Sequence, residues 1–155
     1  MAEKKDRTNI KVEPSIIVFA FVTLAFLLGR SFGITLSAPQ IVRWLGLALS
    51  ALGLALGLLA LREFKRMRTS SNTKAAATGI VTSGIYSFSR HPIYLGFLLI
   101  LIGLPLSNGN YWGILLMPMF IVAMNAIIIK PEEAYLEKKF KEQYTGYKSR
   151  VRRWL

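Results

Sequence analysis

Residues Pro92–Ile129 read PIYLGFLLILIGLPLSNGNYWGILLMPMFIVAMNAIII, and no Asp, Glu, Lys or Arg interrupts them. The main polar break, Ser107-Asn108-Gly109-Asn110, has the composition of a tight turn. Two apolar runs joined by such a turn read as a helical hairpin in a bilayer. Span three starts after Pro92 and runs to about Leu106, short and with Pro105 near its end. Span four runs from Tyr111 to Ile129, with Tyr111 and Trp112 placed as interfacial anchors.

Working upstream, Ile41 to Leu61 is a second segment long enough to cross, since a bilayer core needs about 20 apolar residues. Gly46, Ser50, Gly53 and Gly57 fall on one face of it, where another helix can approach closely. Packing within the chain is the favoured reading of that stripe, and a dimer face is the alternative. A first span runs from about Ile16 to Thr35, and Arg30 must snorkel to an interface or face the bundle interior. A basic start, an apolar run and Leu36-Ser37-Ala38 also fit a signal peptide. The later spans keep the chain in the membrane either way. The fold class is therefore all-α: a multi-span membrane helical bundle of about four transmembrane helices.

Downstream, Pro131 reads as the N1 residue of a last helix, with Glu132 and Glu133 in its first turn where the helix dipole favours carboxylates. Leu136, Phe140, Tyr144, Tyr147 and Val151 recur at helical spacing on an otherwise charged segment. This reads as a C-terminal amphipathic helix lying at the cytoplasmic surface.

The chain has 155 residues and a formal net charge of +12. Such a charge invites a nucleic-acid reading, but the basic residues alternate with apolar spans and form no single stripe. Four crossings put residues 1–15, 62–91 and 130–155 on one side, and those segments hold 18 of the 20 Lys and Arg. The positive-inside rule makes that side, and both termini, cytoplasmic. With no Cys and one His, the sequence offers no thiol nucleophile, thiolate metal site or His cluster, and no metal is expected. The chain reads as one integral membrane domain, 1–155, with a two-span scaffold at 1–70 and a binding half at 71–155.

Polar residues that the membrane pattern does not require cluster at Thr82–Tyr94 and Lys130–Tyr147. The hairpin brings those two stretches to the same side. Arg90, His91, Tyr94, Glu132 and Glu133 thereby converge into a cluster suited to a charged, flat, water-soluble cofactor. Taken singly each has a bland alternative: Arg90 meeting phosphate headgroups, Glu132 starting a helix.

Gly84-Ile85-Tyr86-Ser87-Phe88-Ser89-Arg90-His91-Pro92-Ile93-Tyr94-Leu95-Gly96 resembles the core of the isoprenylcysteine carboxyl methyltransferase family, which takes in phosphatidylethanolamine N-methyltransferase-like proteins. The tail from Glu132-Glu133 to Val151 is similar to that family's second signature. The resemblance covers residues 78–153. It implies transfer of a methyl group from S-adenosylmethionine, leaving S-adenosylhomocysteine, to a lipid or prenylated small molecule. It also implies a cytosol-facing cofactor pocket capped by the last helix. Carried over residue by residue, the cofactor contacts are Thr78, Gly79, Ile80, Val81, Tyr86, His91, Pro92, Ile93, Tyr94 and Glu132. His91 and Arg90 suit the cofactor's carboxylate, Glu132 its amino group and ribose, and tyrosine faces its sulfonium. No catalytic residue is assigned, and Arg90 and Lys130 are the cations nearest the substrate side.

One departure bears on the substrate. Carboxyl-methylating members resemble one another in having Arg four positions before the first Glu of the pair, where this chain has Ile128. That puts an anionic prenylcysteine in doubt and leaves a lipid amine, a phospholipid headgroup, or an apolar thiol or alcohol. Two other functions remain as alternatives: a small four-span transporter subunit, and a non-catalytic membrane protein with a degenerate pocket. All eight acidic residues lie outside the spans, which counts against a proton-coupled carrier.

Overall fold

The computed structural model of the chain describes residues 12–32, 38–67 and 79–155, and within them all regular structure is helical. Helix α1 is Pro14–Phe32, α2 is Gln40–Arg66, α3 is Pro92–Ser107, α4 is Trp112–Met124 and α5 is Lys130–Arg150. A single 3₁₀ turn, Gly84–Ser87, precedes α3. Three helical stretches are long and apolar enough to cross a membrane: α1, α2, and the run that begins at Trp112. The fourth, α3, has 16 residues, about 24 Å at the helical rise, and falls short of a full crossing by itself. Large apolar side chains such as Phe19, Ile41, Trp44 and Val122 stand on the outside, the arrangement expected of a bundle whose solvent is lipid.

Helices α2 and α3 are pressed together through backbone. A Cβ on Gly53 would lie 2.6 Å from the Gly96 carbonyl oxygen, and one on Gly96 would lie 2.5 Å from that of Gly53. Higher up, Gly103 faces the Gly46 carbonyl and Ser50. Hydrocarbon lipid gives no hydrophobic reward for helix association, so this close packing carries the contact. The small-residue stripe is thus used inside the chain.

The opposite end of the bundle is tied by Asn110. Its amide donates to the Ala25 carbonyl (2.9 Å), and its Oδ1 accepts from the Trp112 backbone N–H (2.9 Å), which locks the 107–110 turn to α1. A packed layer of Ile17, Tyr94, Leu101, Phe120, Met124, Ile128 and Ile129 joins α1, α3 and α4.

Two boundaries differ from the sequence reading. The second span continues to Arg66, well past Leu61. The last helix does not start afresh at Pro131: α4 passes through a π turn, Asn125–Ile129, directly into α5. Proline has no N–H and its ring collides with the carbonyl one turn back. The widened π turn just before Pro131 absorbs both effects, so the helix is carried through. The break falls instead at Lys141, whose φ of 44° and ψ of −120° interrupt α5. The second half of α5 is thereby turned so that Tyr144 and Tyr147 are buried.

Candidate functional site

The site lies where the start of α1, the end of α2, the Gly84–Ser87 turn, the start of α3 and the start of α5 meet. Gly84 has φ +58°, a left-handed conformation that favours glycine, and the space its Cβ would fill holds the Glu63 carboxyl at 2.7 Å. Glu63 accepts from the Ser83 hydroxyl (2.9 Å), fastening the turn to α2. His91 is the residue before α3, and Pro92, whose absent N–H would have no helical partner there, opens that helix.

Glu133 is the electrostatic centre. It lies beyond the apolar stretch that ends at Ile129 and is only 4% exposed. Arg153 donates to it through Nε (3.1 Å) and Nη2 (2.6 Å), and Arg90 Nη1 is 3.0 Å from its Oε1. His91 Nε2 is 3.3 Å from the same oxygen. Burial opposes ionisation of Glu133, but His91, Arg153 and Arg90 together outweigh it and hold its carboxyl at about 2. An ionised carboxylate only accepts, so His91 presents an N–H to Glu133 through Nε2. Its Nδ1 then faces Glu132, whose Oε2 is 4.0 Å away and accepts from the Tyr94 hydroxyl (2.7 Å). The His91 and Tyr94 rings stack with centroids 5.3 Å apart.

The C-terminal tail closes over this cluster. The Arg90 N–H donates to the Arg152 carbonyl (3.0 Å), and the Ser89 hydroxyl donates to that of Arg153 (3.3 Å). The Tyr147 hydroxyl donates to the Tyr86 carbonyl (2.6 Å). Burial pushes the Tyr147 hydroxyl up to about 12, so it stays a neutral donor.

Beside the cluster is a cavity of about 390 Å³. Tyr86, Arg90, His91, Tyr94 and Glu132 line its polar end, with Ile93 beside them, and Glu13, just before α1, borders it together with Pro14 and Ser15 of that helix. Its apolar side is formed by α2, from Gly53 to Phe64, and by Phe97 and Ile100 of α3. The walls therefore draw on residues 1–70 as well as on the second half.

Of the residues singled out in the sequence, Tyr86, Arg90, His91, Ile93, Tyr94 and Glu132 come together on the wall. Pro92 is buried behind it. Val81 packs with Ala60 and Tyr86, while Gly79 and Ile80 are half-buried and off the wall. Lys130 is exposed and off the wall. Thr78 lies outside the described residues. Ile128 is fully buried in the packed layer, away from the cavity. Sequence reasoning missed the anchoring role of Glu133, although the acidic pair itself was visible. Arg153 gave no signal among so many cations, and neither did Glu13 or Glu63.

Fold and site together define a helical membrane protein with a charged, tyrosine-rich pocket at one end of its bundle. A sequence model of the family described as phospholipid methyltransferase matches residues 41–143, more than half of the chain, and the chain belongs to that family. It is 46% identical over 63 residues to an uncharacterized protein of Haemophilus influenzae, a match covering all of that protein and 41% of this chain. It is 36% identical over 72 residues to the protein-S-isoprenylcysteine O-methyltransferase of Schizosaccharomyces pombe, and 37% identical over 72 residues to that of Saccharomyces cerevisiae. Each of those matches takes in 46% of this chain and 30% of the relative, so the chain spans under a third of the length of these two proteins. No solved structure matches. The resemblance read from Gly84–Gly96 and the acidic tail is thus a family relationship.

Proposed function

We propose that the protein transfers a methyl group from S-adenosylmethionine to a lipid-like acceptor at the cytoplasmic face of a membrane, working as one integral domain with both termini cytoplasmic. The observation that carries this reading is the cavity itself. One wall has charged and phenolic groups, the other is hydrocarbon, and both open into the same space.

The residues fit the donor. A volume of about 390 Å³ is of the size used for small-molecule cofactors. Glu132 offers a carboxylate to an ammonium or to ribose hydroxyls, and the tyrosine faces suit a sulfonium. Arg90 has a buried Nε with no hydrogen-bond partner among the described residues, and that atom suits a carboxylate. When bound, S-adenosylmethionine supplies a methyl group already activated by a positive sulfur. The protein's own contribution is then alignment in a water-poor space, where His91, Tyr94 and Glu132 are mutually oriented before any ligand arrives.

The acceptor in this reading is not a carboxylate. Arg153 is committed to Glu133, Arg90 is divided between Glu133 and the donor's carboxylate, Lys130 is outside the cavity, and position 128 is an isoleucine within the packed layer. An amine, thiol or alcohol fits the remaining groups, and the transfer is N-, S- or O-directed accordingly.

The test is binding of S-adenosylhomocysteine to detergent-purified protein, read as a rise in melting temperature. Wild type should shift, and Glu132→Ala and His91→Ala should each shift less, because each substitution removes a group facing the cavity. No shift of the wild type at millimolar ligand refutes the donor assignment; equal shifts in both variants refute the residue assignment.

A further inference from the structure

In the charged cluster one carboxylate, that of Glu133, stands against two guanidiniums. Arg153 engages both of its oxygens, through Nε (3.1 Å) and Nη2 (2.6 Å). Arg90 Nη1 comes within 3.0 Å, but off the line of its N–H bonds. Nε and Nη1 of Arg90 therefore stay buried with no hydrogen-bond partner among the described residues. The Arg90 side chain is only 8% exposed and lines the cavity. That of Arg153 is 33% exposed and off the wall. With His91 counted neutral, the Arg90 end of the cavity keeps a net charge of +1 from these three side chains. The Tyr144 hydroxyl beside Arg90 is a neutral phenol and leaves that sum unchanged. On the other side of His91 the wall turns negative at Glu132, and Glu13 brings a second carboxylate to the border.

We infer that Arg153, which does not reach the cavity, is a positioning residue: by satisfying Glu133 it keeps the charge and the donors of Arg90 unspent for the carboxylate of an amino-acid-bearing nucleoside. This rests on the methyl-transfer reading above and adds the residue that makes the donor's zwitterionic end recognisable. A buried carboxylate that loses one partner draws in the one that remains. Without the charge of Arg153, Arg90 and Glu133 become a closed pair whose charges cancel. An incoming carboxylate would then meet no net positive charge, with Glu132 close by. In a water-poor site such a difference weighs far more than it does in water. The C-terminal tail is what delivers Arg153. The carbonyls of Arg152 and Arg153 accept from the Arg90 N–H and the Ser89 hydroxyl, so both guanidiniums hang from adjoining stretches of backbone.

The experiment measures dissociation constants by calorimetric titration of detergent-purified full-length protein with three ligands. S-adenosylhomocysteine carries an ammonium and a carboxylate, its decarboxylated analogue the ammonium alone, and methylthioadenosine neither. Arg153→Gln should weaken S-adenosylhomocysteine by about tenfold or more, leave methylthioadenosine within about twofold, and leave the decarboxylated analogue unchanged or tighter. Arg153→Lys, which keeps the charge, should bind S-adenosylhomocysteine more tightly than Arg153→Gln does. Adding Glu133→Gln to Arg153→Gln returns the net charge to +1 and should bring the preference for S-adenosylhomocysteine over methylthioadenosine back towards that of wild type. Should Arg153→Gln not fold, Arg153→Met keeps the aliphatic stem and should show the same split between ligands. Equal weakening of S-adenosylhomocysteine and methylthioadenosine would mean that Arg153 only ties down the tail, and overturns the inference. So does unchanged S-adenosylhomocysteine affinity, or a double variant with no recovered preference. A wild type that binds S-adenosylhomocysteine and methylthioadenosine alike overturns this inference and leaves the nucleoside pocket standing, whereas one that binds none of the three removes the donor reading as well.

Discussion

Replacing Glu133 with Gln keeps the shape of the side chain and removes its charge, leaving Arg90 and Arg153 facing a neutral amide. The carboxyl is held at about 2 against an ordinary 4.5. At about 1.4 kcal/mol per pKa unit, the native surroundings favour the ionised form by about 3 kcal/mol. Breaking a buried ion pair from one side costs about 3–5 kcal/mol, which agrees. For a chain of this length, 1 kcal/mol moves the melting temperature by about 2–4 °C, so Glu133→Gln should melt roughly 6–12 °C below wild type in the same detergent. The acid dependence gives a second reading of the same quantity. The native carboxyl titrates below the unfolded one, so its contribution is fully present above about pH 4.5 and disappears as the pH falls towards 2. The wild-type-minus-variant gap should stay constant from pH 7 to 5 and shrink below that. A variant melting within 1 °C of wild type at pH 7, or a gap that does not shrink in acid, would refute the view that Glu133 organises the cluster.

Three further outcomes are expected. Tyr147→Phe removes the donor to the Tyr86 carbonyl and should lower stability by about 1–2 kcal/mol in thermal melts, with easier proteolysis of the tail. Gly96→Ala forces a Cβ towards the Gly53 carbonyl and should cost about 1–3 kcal/mol, whereas Gly57→Ala, which meets open space, should melt like wild type. Ile128→Arg places a cation in the fully buried layer and should lower the yield of folded protein without creating activity on a prenylcysteine acid; activity gained on that acid would contradict the buried setting of position 128.

Much of the fold was legible because hydropathy and small-residue spacing are properties of short windows. The uncharged run Pro92–Ile129, the turn at 107–110 and the glycine stripe of α2 each appear in the structure close to where the sequence put them. The two polar stretches at the hairpin's ends were visible for the same reason, and His91, Tyr94 and Glu132 meet there. Where local rules failed, a neighbour distant in sequence had intervened. Pro131 carries a helix-start signal, yet the preceding π turn carries the helix through it. Arg90 looked available for a substrate anion, yet it is shared with Glu133, and Arg153, 63 residues further on, joins the same carboxylate.

The sequence alone determined that this is a basic, multi-span membrane chain with polar clusters at the ends of one hairpin, because lipid leaves no alternative for uncharged stretches of that length. Only the tertiary structure decided which cations are already neutralised, that the tail folds back over the Glu133 cluster, and that Gly57, alone on its face of α2, borders empty space. Those features depend on distances between groups from different helices, and such distances are set when the helices pack.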